Sequence, residues 1–315
     1  MILIKKEKLN IGHLSTAYHT NFILMANKDL RKDLKCELNW ILFGTGPAMV
    51  EAFKKGELDI GYMGLPPAIV SIDQGAAIKC VAGGHVEGTI MVSKIEYKNL
   101  NEFNGNILNV LSQFRGKSVG VTSKGSIHEV ILSYYLNKFN LNNQIQVNYY
   151  KQAEFIALDM KKDIIEAGVG TPALAVFAST FLNSHIIIPP NKLWEDNPSY
   201  GIFCSEDLID KYPEIIIKFL THHKKASKLL RMNPSVAAKK IAKTFEIINK
   251  NYAKSVIEVS PKYCIALSDG YVKSTMEFVK TLYKLGYIKH DLDRDKIFHF
   301  NFIHQVHLEE EHYSN

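Results

Sequence analysis

The stretch from Phe43 to Gly84, FGTGPAMVEAFKKGELDIGYMGLPPAIVSIDQGAAIKCVAGG, constrains the fold more than any other part of the chain. Its apolar runs of strand length stop at glycine, and the helices that follow begin near Pro47 and Pro66. Proline in the first helical turn loses no hydrogen bond, and glycine beyond a helix end takes the left-handed conformation at little cost. The pattern therefore predicts strand, helix, strand, helix, strand.

Strands that are joined through helices of this length run parallel, so the turns after them meet at one edge of the sheet. The strands predicted for this first unit are residues 9–14, 38–43, 60–63 and 78–82. Ligands bind at the carboxyl edge of open α/β sheets. The loop at 15–20 and the glycine turns at 44–46 and 64 are therefore expected to share a binding edge.

A second unit repeats this plan, and its helix start Gly170-Thr171-Pro172 matches the earlier Gly64-Leu65-Pro66. The strands predicted for it are residues 118–121, 146–150, 164–168 and 185–188. An Asn-rich polar segment at 94–116 is expected to connect the two units, and an extended segment at 191–203 to return the chain to the first.

Beyond residue 203 the sequence is mainly helical, with boundaries marked by Pro, Gly or a capping residue. The helices predicted there are residues 206–211, 213–231, 234–245 and 268–285. The sequence thus predicts an α/β fold of two lobes with a helical C-terminal region. The expected division is residues 1–92 plus 202–315 for lobe 1 and residues 93–201 for lobe 2.

Composition excludes several classes of protein. The chain has 315 residues, 46% of them hydrophobic and 22% charged, and its net charge of +6 includes no run of five basic residues, so a nucleic-acid partner is not expected. The longest mostly apolar stretch, 167–182, is too short and interrupted to span a membrane. The N-terminus lacks the apolar region of a signal peptide. The chain as written predicts a cytoplasmic protein, or an extracytoplasmic one whose export signal was removed.

Neither the cysteines nor the C-terminal histidines form a known metal motif, so no metal or cofactor is expected. The four cysteines, Cys36, Cys80, Cys204 and Cys264, are far apart and mostly lie in apolar runs, which is typical of buried thiols. The C-terminal segment 299–315 carries four histidines beside three glutamates. His304 and His307 are spaced to share a helix face, but a solvated polar terminus is the expectation.

The binding hypothesis comes from the turns. The chain has no GxSxG elbow, P-loop, HExxH or dinucleotide fingerprint. Turns at helix starts instead supply backbone N–H groups and hydroxyls that suit an anionic or carbonyl-like group. The candidate ligand-binding residues are His13, Ser15, Thr16, His19, Thr45, Gly46, Gly64, Leu65, His85, Ser123, Gly125, Ser126, His128 and Thr171. For any one of them, helix capping, a structural histidine or a tight turn is the alternative, but five such turns at one edge favour binding.

The same stretch resembles the ABC-transporter substrate-binding proteins of the nitrate, sulfonate and taurine group, which includes thiamine-pyrimidine synthesis proteins. The matching positions are Gly44, Gly46, Gly56, Asp59, Gly64, Pro66 and Gly75. GHLSTAYHT, GKSVGVTSKGSIHEVIL and EAGVGTPALAV also look like later blocks of the family, so the resemblance covers roughly residues 9–230. It implies a type II periplasmic-binding-protein fold, in which two lobes joined by two hinge crossovers close on a ligand.

Two departures from that family keep alternatives open. Exported binding proteins carry a signal peptide or lipobox cysteine, and neither is seen in this sequence. The suicide pyrimidine synthases carry a cysteine cluster for iron, which the scattered cysteines here disfavour. Menaquinone-pathway enzymes with this fold are cytoplasmic and catalytic.

The sequence therefore favours a solute-binding protein, rather than an enzyme, for a sulfonate, nitrate or pyrimidine-like ligand. An ABC permease is its expected partner if it serves an importer, and direct membrane insertion is not expected. The alternatives are a cytoplasmic enzyme that uses His13, His19, His85 or His128 as acid or base, and a ligand sensor.

Overall fold

The computed structural model describes residues 6–246 and 248–314. The strands are β1 (Lys8–His13), β2 (Glu37–Leu42), β3 (Ile60–Met63), β4 (Ile78–Val86), β5 (Ile90–Lys94), β6 (Ser118–Thr122), β7 (Gln146–Tyr150), β8 (Ala167–Gly170), β9 (Ser184–Ile188) and β10 (Pro198–Ser205). The helices up to β10 are α1 (Asn21–Leu24), α2 (Lys28–Leu34), α3 (Gly46–Lys54), α4 (Leu65–Asp73), α5 (Ile107–Ser112), α6 (Ile127–Lys138), α7 (Ala153–Lys161), α8 (Pro172–Phe181) and α9 (Pro190–Leu193). Those after it are α10 (Glu206–Lys211), α11 (Pro213–Met232), α12 (Pro234–Thr244), α13 (Lys250–Val259), α14 (Asp269–Lys284), α15 (Arg294–Ile297) and α16 (Asn301–Val306).

Two five-stranded sheets organise the chain, and both have the same plan. The first has the order β2-β1-β3-β10-β4, with β1, β2 and β3 parallel and β10 antiparallel to its two neighbours. The second has the order β7-β6-β8-β5-β9, with β6, β7 and β8 parallel and β5 antiparallel to its neighbours. We call the half built on the first sheet lobe 1 and the half built on the second lobe 2. The predicted α/β fold of two lobes is confirmed.

Two crossovers join the lobes and lie side by side. The first leads from β4 to β5 and the second from β9 to β10. The backbone N–H of Glu87, in the first, donates a hydrogen bond to the carbonyl of Asn197, in the second, at 2.6 Å. The Glu87 carboxylate also pairs with Lys262 at 3.0 Å. The expected lobe limits at 92/93 and 201/202 fall within β5 and β10, so sheet membership leads us to propose limits at 87–89 and 189–197 instead.

The structure differs from the sequence-based prediction at β8 and at several helices. The predicted strand 164–168 begins too early, because residues up to Ile164 complete the end of α7, where Asp163 has φ of 58°. Helices α7, α13, α15 and α16 were not predicted, α5 interrupts the expected connection, and α9 occupies the start of the segment 191–203 that was expected to be extended. The single helix expected after the first loop is divided into α1 and α2, since the Asn27 side chain caps α2 by accepting from two backbone N–H groups.

The C-terminal helices pack mainly on lobe 1 but also reach lobe 2. Buried residues of α11, α12 and α13 join the core around β1 and β10. The Tyr252 hydroxyl, on α13, donates to the carbonyl of Ala173 on α8 at 3.0 Å. The expected solvated terminus is wrong for part of its length, because the side chain of His307 is 4% exposed and Tyr313 is 3% exposed.

Candidate functional site

A cavity lies between the carboxyl edges of the parallel strands of the two sheets. It has about 60 Å³ open to water-sized molecules, and both lobes contribute to its wall. Nine of the fourteen predicted site residues line it: Ser15, Thr16, His19, Thr45, Gly46, Gly64, Ser126, His128 and Thr171. The structure therefore brings together turns that are widely separated in sequence, as the repeated strand and helix pattern predicts.

Five helices begin at this cavity. On lobe 1, Thr45 precedes α3 and Gly64 precedes α4; on lobe 2, Ser126 precedes α6, Ala153 begins α7 and Thr171 precedes α8. The N-terminus of a helix presents backbone N–H groups and a partial positive charge. The cavity is therefore a favourable place for the negative end of a ligand.

Some of these helices are capped at the N-terminus by a side chain of the N-cap residue, and others are not. On lobe 2, the Ser126 hydroxyl accepts from the Glu129 N–H and the Thr171 hydroxyl accepts from the Leu174 N–H. On lobe 1, α3 and α4 have no side-chain cap. In α3 the N–H groups of Gly46 and Ala48 remain for a ligand, whereas in α4 Pro66 and Pro67 leave Leu65 as the one donor of the first three positions.

The loop between β1 and α1 reaches across the cleft. The Ser15 hydroxyl donates to Oε1 of Glu154 on α7 at 3.1 Å, which connects lobe 1 to lobe 2. Ala17 has φ of 57°, a left-handed backbone that costs energy for a residue other than glycine. The lobes also touch behind this loop, where a Cβ added to Gly44 would lie 3.1 Å from the Lys151 carbonyl oxygen. The structure is thus a closed form of the cleft.

Two side chains of the lobe 1 wall hold buried polar atoms without a partner. The Thr16 hydroxyl oxygen and both ring nitrogens of His19 have no hydrogen-bond partner among the described residues. His19 is 2% exposed and stacks on Tyr200, with ring centroids 3.9 Å apart. Buried polar atoms in native proteins are nearly always bonded, so such atoms on a cavity wall are candidates to bond a ligand or an ordered water molecule.

The histidines of the cleft are neutral near pH 7. Burial holds the pKa of His19 well below its ordinary value, and four neighbouring histidines lower it further. Burial also lowers the pKa of His128 to about 4, and its Nδ1 lies 3.0 Å from the Thr89 hydroxyl oxygen. A neutral imidazole offers one N–H donor and one acceptor nitrogen. The two rings therefore supply hydrogen bonds rather than positive charge.

Charge on the wall is sparse. In the stretches that the structure describes, the lining includes no Lys or Arg side chain and one carboxylate, that of Glu154. The helix N-termini are therefore the main source of positive potential here.

Five predicted residues lie outside the lining of this cavity. They are His13, Leu65, His85, Ser123 and Gly125. The ring of His13 packs edge-on against Phe22 and Trp40. His85 lies at the end of β4, where its Nε2 is 2.6 Å from the carbonyl oxygen of Ser260. Their role in binding stays a prediction.

Several lining residues were not among the predicted ones. The polar ones are Tyr18, Thr122, Glu154 and Ser199. The Tyr18 and Ser199 hydroxyl oxygens are 2.8 Å apart and join the first loop to the second crossover. Glu154 follows β7 at the same edge as the predicted turns, so recognition of α7 from its buried Ile156, Ala157 and Met160 would have found it.

A second cavity adjoins the first and is mostly apolar. It has a volume of about 220 Å³ and shares Ala153, Glu154 and Thr171 with the polar cavity. The remaining lining is Ala157, Leu158, Ala173, Leu174, Phe177 and Tyr252. The polar cavity therefore borders a space that suits hydrocarbon.

Among the described residues, one group of three side chains is suited to hold a metal ion, and it is Cys264, His307 and His312, none of which lines the cleft. Within those same residues, no helix has both the length and the apolar character needed to cross a membrane.

Comparison with known families identifies the chain. Residues 4–246, or 243 of the 315 residues, match the model of the NMT1-like family. The chain belongs to the NMT1-like family. No curated protein matches the sequence of this NMT1-like protein.

Solved structures similar to this NMT1-like protein share its fold. The alkanesulfonate-binding protein of Xanthomonas axonopodis pv. citri, bound to MOPS, has a TM-score of 0.76 at 15% identity, with 92% of this chain and 96% of that chain covered. The ligand-binding component of an ABC-type import system from Staphylococcus aureus, with zinc bound, has 0.77 at 15%, covering 96% and 99%. The periplasmic nitrate-binding protein of Synechocystis has 0.75 at 11%, covering 95% and 88%.

At these identities the likeness establishes the fold of the NMT1-like protein. The resemblance to ABC substrate-binding proteins and the expected periplasmic-binding-protein fold are both confirmed. The identity of the ligand depends on the residues of this chain's own cleft.

Proposed function

We propose that this protein captures a small organic solute, with a polar or anionic head and an apolar tail, between its two lobes. The observation that carries the proposal is the set of unpartnered buried atoms on the cavity wall, Thr16 Oγ1 and the two ring nitrogens of His19. Leaving such an atom unbonded costs about 1–3 kcal/mol. A ligand that bonds to them recovers that energy on binding.

We expect the helix starts to bind the head of the ligand. The uncapped N-termini of α3 and α4 favour a negative or carbonyl-like oxygen, and His19 offers one donor and one acceptor. Because the lining has no cationic side chain, a sulfonate, carboxylate or carbonyl group would be held by backbone dipoles and neutral hydrogen bonds. The volume of about 60 Å³ in this closed form admits a group the size of roughly four to six water molecules.

We expect the tail of the ligand to occupy the adjoining cavity of about 220 Å³, which is lined by Leu174, Phe177 and other apolar side chains. Burying each methylene group there would contribute about 0.8 kcal/mol. We therefore expect alkyl or aryl sulfonates and carboxylates to bind more tightly than nitrate.

The test is a titration of the purified chain with nitrate, methanesulfonate, a longer alkanesulfonate, a matched carboxylate and a pyrimidine, followed by calorimetry and thermal unfolding. Native mass spectrometry of protein purified without denaturation would identify a retained ligand. We expect the longer alkanesulfonate or carboxylate to bind most tightly. Failure of every compound to bind or to shift the unfolding temperature would refute the proposal, and recovery of a converted product would favour the enzyme alternative.

A substitution in the apolar cavity tests whether the tail of the ligand binds there. Ala157 is buried on α7 and lines only the apolar cavity. We expect Ala157→Phe to fill this space and to weaken binding of the longer alkanesulfonate by at least about tenfold, with methanesulfonate unaffected. An equal loss for both compounds would show that the apolar cavity does not hold the tail.

The partner we propose is the permease of an ABC importer, supported by the import-system component among the structural neighbours. An importer collects its solute outside the cytoplasmic membrane, so the proposal requires the protein to act there. Cells that lack this chain should lose uptake of the identified ligand. Uptake should return with the original chain and not with a binding-deficient variant.

A further inference from the structure

Three side chains with soft or borderline metal-binding atoms meet where the C-terminal segment packs on lobe 1. Sγ of Cys264 lies 3.3 Å from Nε2 of His307 and 3.5 Å from Nδ1 of His312. All three atoms are within 4.8 Å of one another. None of the three residues lines the cleft or its apolar extension, so this cluster is independent of the proposed function.

The two sulfur–nitrogen distances of this cluster match those between ligands of a tetrahedral metal ion. Zinc binds cysteine sulfur at about 2.3 Å and histidine nitrogen at about 2.0–2.1 Å. At a tetrahedral angle these bond lengths place sulfur and nitrogen about 3.5 Å apart. The distances from Sγ of Cys264 to the two histidine nitrogens, 3.3 and 3.5 Å, agree with that separation.

The donor atoms also face one another. His307 and His312 each turn a ring nitrogen toward the Cys264 sulfur, and a neutral imidazole nitrogen has a lone pair for a metal. The backbone N–H of Ala266 points to the same sulfur at 3.5 Å. Hydrogen bonds of this kind stabilise a thiolate once a metal has displaced its proton.

A carboxylate stands beside the His307 ring of the cluster. Oε1 of Glu309 is 3.8 Å from Nε2 of His307, and its other oxygen is held by Lys224 at 2.7 Å. The charged groups around the site are Lys224, Lys228 and Arg231 on α11, with Glu309 and Glu311 on the C-terminal segment. Arg231 donates to the carbonyl of Tyr263 at 2.7 Å, and the two carboxylates offset part of the positive charge.

We infer that Cys264, His307 and His312 form a binding site for a zinc-class divalent ion, with Glu309 as the fourth ligand. The mixed sulfur and nitrogen donors select zinc over calcium or magnesium, which prefer oxygen. On binding, the metal–sulfur bond replaces the S–H bond of Cys264, and the proton leaves to solvent.

The position of the site indicates what the ion does. Cys264 lies in the segment after α13 that runs beside β4, since Gly83 N–H donates to the Ile265 carbonyl at 2.9 Å. His307 and His312 follow α16, and the Tyr313 hydroxyl donates to the carbonyl of Cys264 at 2.8 Å. The ion would fasten the C-terminal segment to lobe 1 and leave the cleft free to open and close.

The experiment uses the full chain after chelation and dialysis. Titration with zinc should give a stoichiometry of about one ion per chain, and calorimetry in buffers of different ionisation enthalpy should report release of about one proton. Cobalt should produce a thiolate charge-transfer band and the d–d bands of a tetrahedral site. Absence of the charge-transfer band in the original chain would overturn the inference.

Substitutions of the proposed metal ligands test which side chains bind the ion. Cys264→Ser should abolish the charge-transfer band and weaken zinc binding at least about 100-fold, and His312→Gln should weaken it similarly. Matched controls are Cys36→Ser and His304→Gln, which should bind zinc as the original chain does. Circular dichroism checks that each variant folds. If Cys264→Ser does not fold, His312→Gln gives the same test, because His312 is partly exposed. Tight zinc binding that survives both ligand substitutions would place the ion elsewhere and refute this site.

Discussion

Lobe 1 and lobe 2 each contribute a wall to the cleft, and both walls are built from helices that begin after parallel strands. The two walls differ in whether their polar side chains have hydrogen-bond partners. On the lobe 1 wall, the Thr16 hydroxyl and the His19 ring have none among the described residues. On the lobe 2 wall, the Thr122 hydroxyl donates to Ser126, and Thr171 caps its own helix. These lobe 2 hydroxyls therefore have partners within lobe 2, whereas the lobe 1 atoms have none in the part of the chain that the structure describes, although α7 on lobe 2 also begins without a side-chain cap.

This difference bears on how a ligand enters. Unbonded buried atoms cost stability in the empty protein and are retained where a ligand bonds to them. We infer that the ligand binds first to lobe 1 and that lobe 2 then closes over it. Substitutions on the lobe 1 wall should therefore change affinity more than stability, and those on the lobe 2 wall should do the reverse.

The largest expected effect is the response of folding to acid. Burial lowers the pKa of His85 and His223, on lobe 1, and of His128, on lobe 2, to about 4. In the unfolded chain these groups have a pKa near 6.5, so between pH 6.5 and 4 the unfolded state binds more protons. The free energy of unfolding should therefore fall as the pH decreases, by on the order of 1–2 kcal/mol per histidine between pH 7 and 5.

Thermal and urea unfolding at pH 7, 6 and 5 measure this effect. His85→Gln and His128→Gln should each reduce the dependence on pH by removing one titrating group. His85 belongs to lobe 1 and His128 to lobe 2. Comparing the two variants therefore shows which lobe's histidine contributes more to the pH dependence of unfolding. An unfolding temperature that stays constant from pH 7 to 5 would contradict the buried neutral state of these rings.

The next largest effect is expected on ligand affinity when His19 is replaced. We expect His19→Phe to weaken ligand binding by roughly 100-fold, because two buried hydrogen bonds of about 1–3 kcal/mol each are lost. The unfolding temperature of the empty protein should be unchanged or higher, since the unpartnered nitrogens are gone. Calorimetry and thermal unfolding measure the two quantities.

The matched change on lobe 2 is His128→Phe. There Nδ1 is bonded to Thr89 at 3.0 Å, so the substitution leaves a buried hydroxyl without its partner. We expect it to lower stability by about 1–3 kcal/mol. If the two variants behaved alike, the contrast between the walls would not hold.

A smaller effect is expected at Thr16. Thr16→Val removes a buried hydroxyl that has no partner among the residues that the structure describes, and replaces it with a methyl group of similar size. Ligand affinity should fall by roughly tenfold, while the unfolding temperature stays the same or rises. A clear loss of stability in calorimetry would mean that this hydroxyl already bonds to the protein.

The sequence predicted the architecture well, for a physical reason. The strand at 60–63 and the helix starts at Gly64 and Thr171 were identified because glycine and proline are tied to particular backbone conformations. Their convergence followed from the rule that parallel strands place their carboxyl ends at one edge. Nine predicted site residues accordingly line one cavity.

Other features could not be predicted because they depend on contacts between distant segments. Tyr18 and Ser199 meet only because the second crossover passes beside the first loop. The pairing of Cys264 with His307 and His312 requires the C-terminal segment to fold back on lobe 1, which residue spacing alone does not indicate. Helix α7, and with it Glu154, was missed because the apolar residues 164–165 after it were interpreted as the start of a strand.

The smallest effect concerns the caps of lobe 2. Thr171 accepts a hydrogen bond from the Leu174 N–H at the start of α8, so Thr171→Ala should lower stability by about 1 kcal/mol. Because that hydroxyl is already bonded, ligand affinity should change by less than about threefold. Thr171→Ser keeps the capping oxygen and should restore the stability measured by urea unfolding. A loss of affinity larger than that of Thr16→Val would show that the lobe 2 wall, and not lobe 1, holds the head of the ligand.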